Sequence, residues 1–110
     1  DVWVCDAGAY VVLKALAFDS RGENKDAYDL FYVVRNYGVG PTDVASKLQP
    51  LLDDADAQRA LTILNRDFAE PDAVGPMRVA AFVTGGKDEQ LQADVVGFVG
   101  QLLAKLKRPG

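Results

Sequence analysis

Residues 6–38 read DAGAYVVLKALAFDSRGENKDAYDLFYVVRNYG, which is two apolar runs separated by a short polar break. Asp6 is placed to cap a helix that runs to about Asp19, because a carboxylate can accept the free backbone N–H groups of a first helical turn. This first predicted helix is apolar on nearly every side. Such a helix is expected to be buried on more than one face.

The second run predicts another helix. It follows the polar turn of residues 20–24, with Asn24 as the candidate N-cap, and it reaches Tyr37, where Gly38 supplies a stop. Its core stripe repeats at helical spacing and consists of Ala27, Leu30, Phe31 and Val34. Because the connection between the two helices is short, we expect them to pack antiparallel.

The rest of the chain also favours helices. A third is expected to open at Pro41 and to carry its apolar face as far as Leu52, a fourth covers residues 55–68, and a last one covers residues 88–107. Residues 77–83 are ambiguous between a buried strand and a helix. The proline before this segment and the two glycines after it favour a short helix.

These patterns predict a mainly α fold. Residues 1–110 are expected to form a single bundle-like helical domain of five or six helices, preceded by a short N-terminal extended segment at Val2, Trp3 and Val4. The chain begins at Asp1 rather than at a methionine. We therefore expect it to be the C-terminal piece of a larger protein.

Composition narrows the class of protein. The 110 residues are 49% hydrophobic and carry a net charge of −4, which is typical of one globular domain and argues against a broad nucleic-acid-binding surface. The single cysteine, Cys5, excludes an internal disulfide and favours a small buried hydrophobe in a cytoplasmic protein. No apolar run is long enough for a bilayer, so no membrane is expected. Because the chain has no histidine, a Ser-His-Asp triad and His-ligated zinc are excluded.

Lys14 is the one side chain whose placement among apolar residues calls for an explanation. It is the only charged residue between Asp6 and Asp19, and its neighbours on a helix are apolar or aromatic. An ammonium group in such surroundings either extends to water along its aliphatic stem or meets an anion. Both interpretations are open from the sequence.

Asp26 and Asp29 are the candidate anions. They lie three residues apart, on one side of the second predicted helix. Asp26 is also explained by the favourable effect of an acid in a first helical turn, and Asp29 by a solvated face shared with Asn36. An antiparallel helix pair would bring Asp29 towards Lys14, which predicts a lysine-carboxylate pair facing a phosphate site.

The letters of this region resemble a family signature. Residues 13–17 read LKALA, Arg21 follows, and residues 25–30 read KDAYDL. This order is similar to that of the AbiEii/AbiGii toxin family of nucleotidyltransferases, in which K-x-x-A is followed by an arginine and then by R/K-D-x-x-D-L. The resemblance is strong over residues 11–34 only.

The resemblance implies a polymerase-β-like nucleotidyltransferase that uses an NTP and Mg²⁺, acts on an acceptor such as RNA, and is a toxin paired with an antitoxin. Lys14 and Asp29 would be its catalytic residues, supported by Arg21, Lys25 and Asp26. A preceding nucleotidyltransferase domain would hold the two metal ions on an Asp-x-Asp strand.

The chain departs from the family in one large respect, since neither a Gly-Ser loop nor an Asp-x-Asp strand occurs in it. Residues 53–56 read DDAD, but they lie at an acidic helix boundary. The 110 residues alone are therefore expected to be inactive. The alternative is a non-catalytic helical module that regulates or binds another protein.

Overall fold

Six α-helices make up most of residues 6–107, the part of the chain that the computed structural model describes. They are α1 (Ala7–Arg21), α2 (Asn24–Asn36), α3 (Pro41–Leu48), α4 (Ala55–Asp67), α5 (Val74–Thr84) and α6 (Glu89–Lys105). A single 3₁₀ turn, Gln49–Leu51, follows α3, and no strand occurs among the described residues. The mainly α prediction is thus confirmed. The extended segment predicted at residues 2–4, and Cys5, lie outside the described range.

Aspartates begin three of the helices. The side chain of Asp6 accepts a hydrogen bond from the N–H of Ala9 at the start of α1. Asp54 and Asp88 accept hydrogen bonds in the same way from the first turns of α4 and α6. The predicted cap of α2 is wrong by one residue. Glu23 occupies the capping position without a side-chain bond, and Asn24 is already helical.

The third helix is shorter than predicted. It ends at Leu48, and the chain tightens into the 3₁₀ turn that contains Pro50. Proline has no N–H to donate and its ring clashes with the preceding helical turn, so the regular α-helical hydrogen bonding stops there. Residues 77–83, by contrast, lie inside α5, which confirms the helical alternative for that segment. Helix α6 ends at Lys105, two residues before the predicted end.

One core cluster joins all six helices. Helix α1 packs against α2, α3 and α4, while α5 and α6 cover the other side of α2. The predicted stripe of α2 is buried throughout, and the largest fully buried side chains include Leu30, Leu48, Leu64, Phe68 and Leu102. Burial of such side chains stabilises the fold by about 1.5–3 kcal/mol each before entropy is counted. Helix α1 is buried on several sides, as predicted, but its Leu13 remains 54% exposed.

Within residues 6–107, no helix combines the length and the apolar character that crossing a membrane requires.

Candidate functional site

The turn between α1 and α2 brings the predicted site residues together. Gly22 caps α1 in the left-handed conformation, with φ 64°, and its N–H bonds to the carbonyl of Phe18. Only Gly22 and Glu23 separate the two helices, which therefore pack side by side. Glycine adopts this conformation at little cost, so the tight reversal places the middle of α1 beside the first two turns of α2.

Lys14 meets both candidate anions. Its Nζ lies 2.9 Å from Oδ2 of Asp29 and 3.4 Å from Oδ1 of Asp26. Its side chain keeps 21% of its exposure, and Nζ also lies 5.6 Å from the ring centroid of Tyr10. Both sequence interpretations of Lys14 therefore hold in part, because the ammonium is paired with anions and still reaches solvent.

Asp26 is the most buried member of this group, with 2% of its side chain exposed. Arg21 holds it at two points, Nε to Oδ2 at 2.7 Å and Nη2 to Oδ1 at 2.9 Å. The sequence explained Asp26 only as an acid in a first helical turn. Its side chain is nevertheless more buried than that of Asp29, because the face of α2 that carries Asp26 turns towards α1.

Asp29 is shared by two lysines. Besides Lys14, the ammonium of Lys25 lies 2.8 Å from the same Oδ2, one helical turn away on α2. The side chain of Asp29 is 15% exposed, whereas Asn36, two turns further on, is exposed and bonds to the carbonyl of Tyr32. The solvated face that the sequence offered as an explanation for Asp29 therefore describes Asn36 but not Asp29.

The five residues form one ion cluster, which we call the Lys14 cluster: Lys14, Arg21, Lys25, Asp26 and Asp29. The hydrogen bond to Asp29 raises the pKa of Lys14, and the hydrogen bonds from Arg21 lower the pKa of Asp26. Burial acts to raise the pKa of Asp29, but Lys25 and Lys14 together outweigh it, and that pKa is lowered. At their formal charges, three cations and two anions leave the cluster with +1.

The chemistry open to the cluster follows from these charges. A lysine whose pKa is raised stays protonated at neutral pH, so Lys14 acts as a fixed positive charge rather than as a base or nucleophile. Lys14 and Lys25, both reaching solvent beside Asp29, are placed to meet an added anion such as a phosphate. Asp29 positions both ammonium groups.

The cluster does not fit a magnesium ion. Mg²⁺ requires several oxygen ligands in an octahedral arrangement, whereas the carboxylates of Asp26 and Asp29 are already bonded to cations. No group of three or more potential metal-ligating side chains occurs among residues 6–107. Residues 53–56 lie at the start of α4, where Asp54 caps the helix, as the sequence indicated.

The structure contains a second ion cluster that the sequence did not predict. Asp19 on α1 accepts from Arg59 at 2.8 Å and from Arg66 at 2.6 Å, and Arg66 also bonds to Asp67 at 2.8 Å. The two contacts of Asp19 tie α1 to α4 across 40 and 47 residues of chain. No sequence pattern indicates them, since the pairing depends on how the two helices pack.

Comparison with known proteins gives no relative: no protein-family model, no curated protein and no solved structure matches this chain.

Proposed function

We propose that this chain is the helical C-terminal part of a nucleotidyltransferase-like protein of the cytoplasm, which transfers a nucleoside monophosphate from an NTP to an acceptor such as RNA. The Lys14 cluster is the helical half of that site. A preceding domain carries the metal-binding half, with its Mg²⁺, and an antitoxin is the partner that restrains the activity.

The observation that carries the proposal is the contact between Lys14 and Asp29. Two helices meet so that an ammonium in an otherwise apolar stretch lies 2.9 Å from a carboxylate while 21% of its side chain stays exposed. The residual exposure limits the desolvation cost of the pair and also leaves part of the ammonium open to a ligand. A triphosphate can approach this exposed part of Lys14 and replace some of its contact with Asp29.

Each residue then has a defined task. Lys14 neutralises charge that builds up on the phosphates, which is the form of stabilisation that contributes most to many enzymatic reactions. Asp29 orients Lys14, and Lys25 adds a second, more exposed cation. Arg21 and Asp26 fix the turn that sets the spacing of α1 and α2.

A second candidate function is a protein-binding module without catalysis. The observation that favours it is the completeness of the ion pairing, since every member of the Lys14 cluster already has an oppositely charged partner. In this case the cluster only holds α1 against α2, and the working surface lies elsewhere on the helices.

The deciding experiment measures nucleotide transfer by the larger protein that would contain this chain, with labelled NTPs, Mg²⁺ and a mixed RNA acceptor. Lys14→Ala and Asp29→Asn are each expected to lower transfer by about 100-fold or more, because charge stabilisation at the reacting phosphates is lost. Lys47→Ala, at an exposed lysine on α3, is the matched control and should stay within about twofold of the unaltered protein.

Thermal unfolding of each variant separates loss of the site from loss of the fold. Lys14→Ala should lower the melting temperature by only several degrees and leave the protein folded, because Asp26 keeps its bonds to Arg21 and Asp29 keeps its contact with Lys25. Transfer that continues undiminished in a folded Lys14→Ala protein refutes the catalytic assignment and leaves the binding module.

A further inference from the structure

An apolar groove with acidic edges lies on the molecule apart from the Lys14 cluster. It encloses about 390 Å³ between α1, the 3₁₀ turn and the start of α4, and is lined by Ala9, Val12, Leu13, Leu51, Asp54, Asp56 and Ala57. Five of these seven residues are apolar. We call it the Leu13 groove, because Leu13 is its most exposed apolar side chain, at 54%.

The edge of the Leu13 groove is strongly negative. Asp54 and Asp56 line it, Asp53 adjoins them in the chain, and Asp6 bonds to the N–H of Ala9 in its wall. All four aspartates are exposed residues. The N-termini of α1 and α4 supply about half a positive charge each, which offsets only one of the four negative charges and leaves roughly −3. None of the residues lining the groove is basic.

We propose that the Leu13 groove binds an amphipathic helix of another protein, one that presents aliphatic side chains flanked by lysine or arginine. The aliphatic side chains of the partner helix pack on the apolar floor of the groove, as in other complexes where a helix binds in a hydrophobic groove. The surrounding carboxylates select the basic flanks and speed association. The inference does not depend on the proposed nucleotide transfer, because α1 presents Leu13 and Lys14 in different directions.

Charge complementarity also decides against two other occupants. A second copy of this chain docked by the same surface would bring the acidic edge against itself, since a two-fold interface sets each patch against its own equivalent. An anionic membrane surface would repel the same four carboxylates. A basic helix is the partner for which both the floor and the edge are favourable.

The test measures fluorescence anisotropy of a labelled 18-residue probe peptide whose leucines repeat at i, i+3, i+4 and i+7 and whose other face carries lysines. We expect a dissociation constant on the order of micromolar, which weakens as salt is raised. A matched peptide with glutamate in place of every lysine is expected to bind at least tenfold more weakly, because the edge then repels it.

Two variants locate the binding. Leu13→Ser is expected to weaken binding of the lysine peptide by about tenfold or more. Because Leu13 is 54% exposed, the substitution leaves the fold intact. Asp53→Asn together with Asp56→Asn should weaken it by about fivefold and reduce the salt dependence. Neither aspartate accepts a capping bond at the start of α4, so the helix is retained.

Matched controls exclude general attraction of a basic peptide to an acidic protein. Val83→Ser on α5, where Val83 is 51% exposed, and the exposed pair Asp72→Asn with Glu89→Gln should leave the dissociation constant unchanged. Three outcomes overturn the proposal. They are equal binding of the two peptides, no binding of the lysine peptide at a protein concentration on the order of 100 µM, and equal weakening by the test and control variants. A dimer in sedimentation that Leu13→Ser abolishes overturns it in favour of self-association.

Discussion

Arg21 and Asp26 lie on opposite sides of the turn between α1 and α2 and bond at two points, at 2.7 and 2.9 Å. The side chain of Arg21 is 56% exposed, whereas that of Asp26 is 2% exposed, so the pair joins a largely exposed residue to a buried one. Paired N–H groups match the two oxygens of a carboxylate in geometry as well as charge. This contact closes the end of the helix pair that carries Lys14.

Removal of Asp26 should be costly to folding. Asp26→Ala takes away the hydrogen-bond acceptor of Arg21 and a partner of Lys14, and we expect a loss of about 2–3 kcal/mol in the free energy of unfolding. Urea denaturation measures it. Asp72→Ala, at a residue 81% exposed, is the control and should change stability by less than about 0.5 kcal/mol. Equal effects would show that the buried pair adds nothing.

Stability should fall in acid through the same carboxylates. The folded-state pKa of Asp26 is lowered by Arg21, and that of Asp29 is lowered by its two lysines against the effect of burial. A lowered pKa contributes stability that is fully present above the unfolded value of about 3.9 and is lost as pH falls through the folded value. Urea midpoints should therefore be level near neutral pH and drop below about pH 4. Asp26→Asn should flatten that drop, and an unchanged slope would contradict the assignment.

Two helical glycines should respond oppositely to alanine. A Cβ on Gly75 would lie 2.5 Å from Cε2 of Phe68, a fully buried ring, so Gly75→Ala is expected to destabilise by about 1–3 kcal/mol. A Cβ on Gly97 in α6 meets nothing within 4 Å. Gly97→Ala should stabilise by about 0.5–1 kcal/mol through helix propensity alone. Calorimetric melting of both variants tests the close packing of α5 on α4, and shifts in the same direction would count against it.

A buried glutamine should resist replacement by an apolar residue. Gln92 is fully buried, its Nε2 donates to the carbonyl of Pro71 at 2.8 Å, and its Oε1 accepts from the N–H of Asp88 at 2.8 Å. Gln92→Leu leaves both backbone groups without these partners, so a loss of about 2 kcal/mol is expected in chemical denaturation. Gln90→Leu, at an exposed glutamine on the same helix, should be nearly neutral. A neutral Gln92→Leu would show that water replaces both bonds.

Local patterns anticipated most helices because their signals lie within a few residues. Asp6, Asp54 and Asp88 each bond to an N–H two or three residues ahead, and such caps can be read from neighbouring letters. The helix start was mispredicted where a second local feature outweighed the capping preference. Asn24 suits a cap, but the tight turn at Gly22 starts α2 one residue earlier.

The candidate site was predicted in part. The meeting of Lys14 and Asp29 followed from helical spacing and an antiparallel pair, and the structure has them 2.9 Å apart. The greater burial of Asp26 did not follow, because burial depends on how far α2 is rotated about its axis against α1. Their part in nucleotide transfer stays a prediction.

The sequence by itself determined that this chain is helical, where most of its helices begin, and that Lys14 needs an anion, because capping, periodicity and the cost of an unpaired charge act over one or two helical turns. Only the tertiary structure decided the rest. The contacts of Asp19 with α4, the depth of Asp26 and the Leu13 groove arise where helices distant in sequence meet, and their packing depends on the fit of whole surfaces that no short stretch of residues specifies.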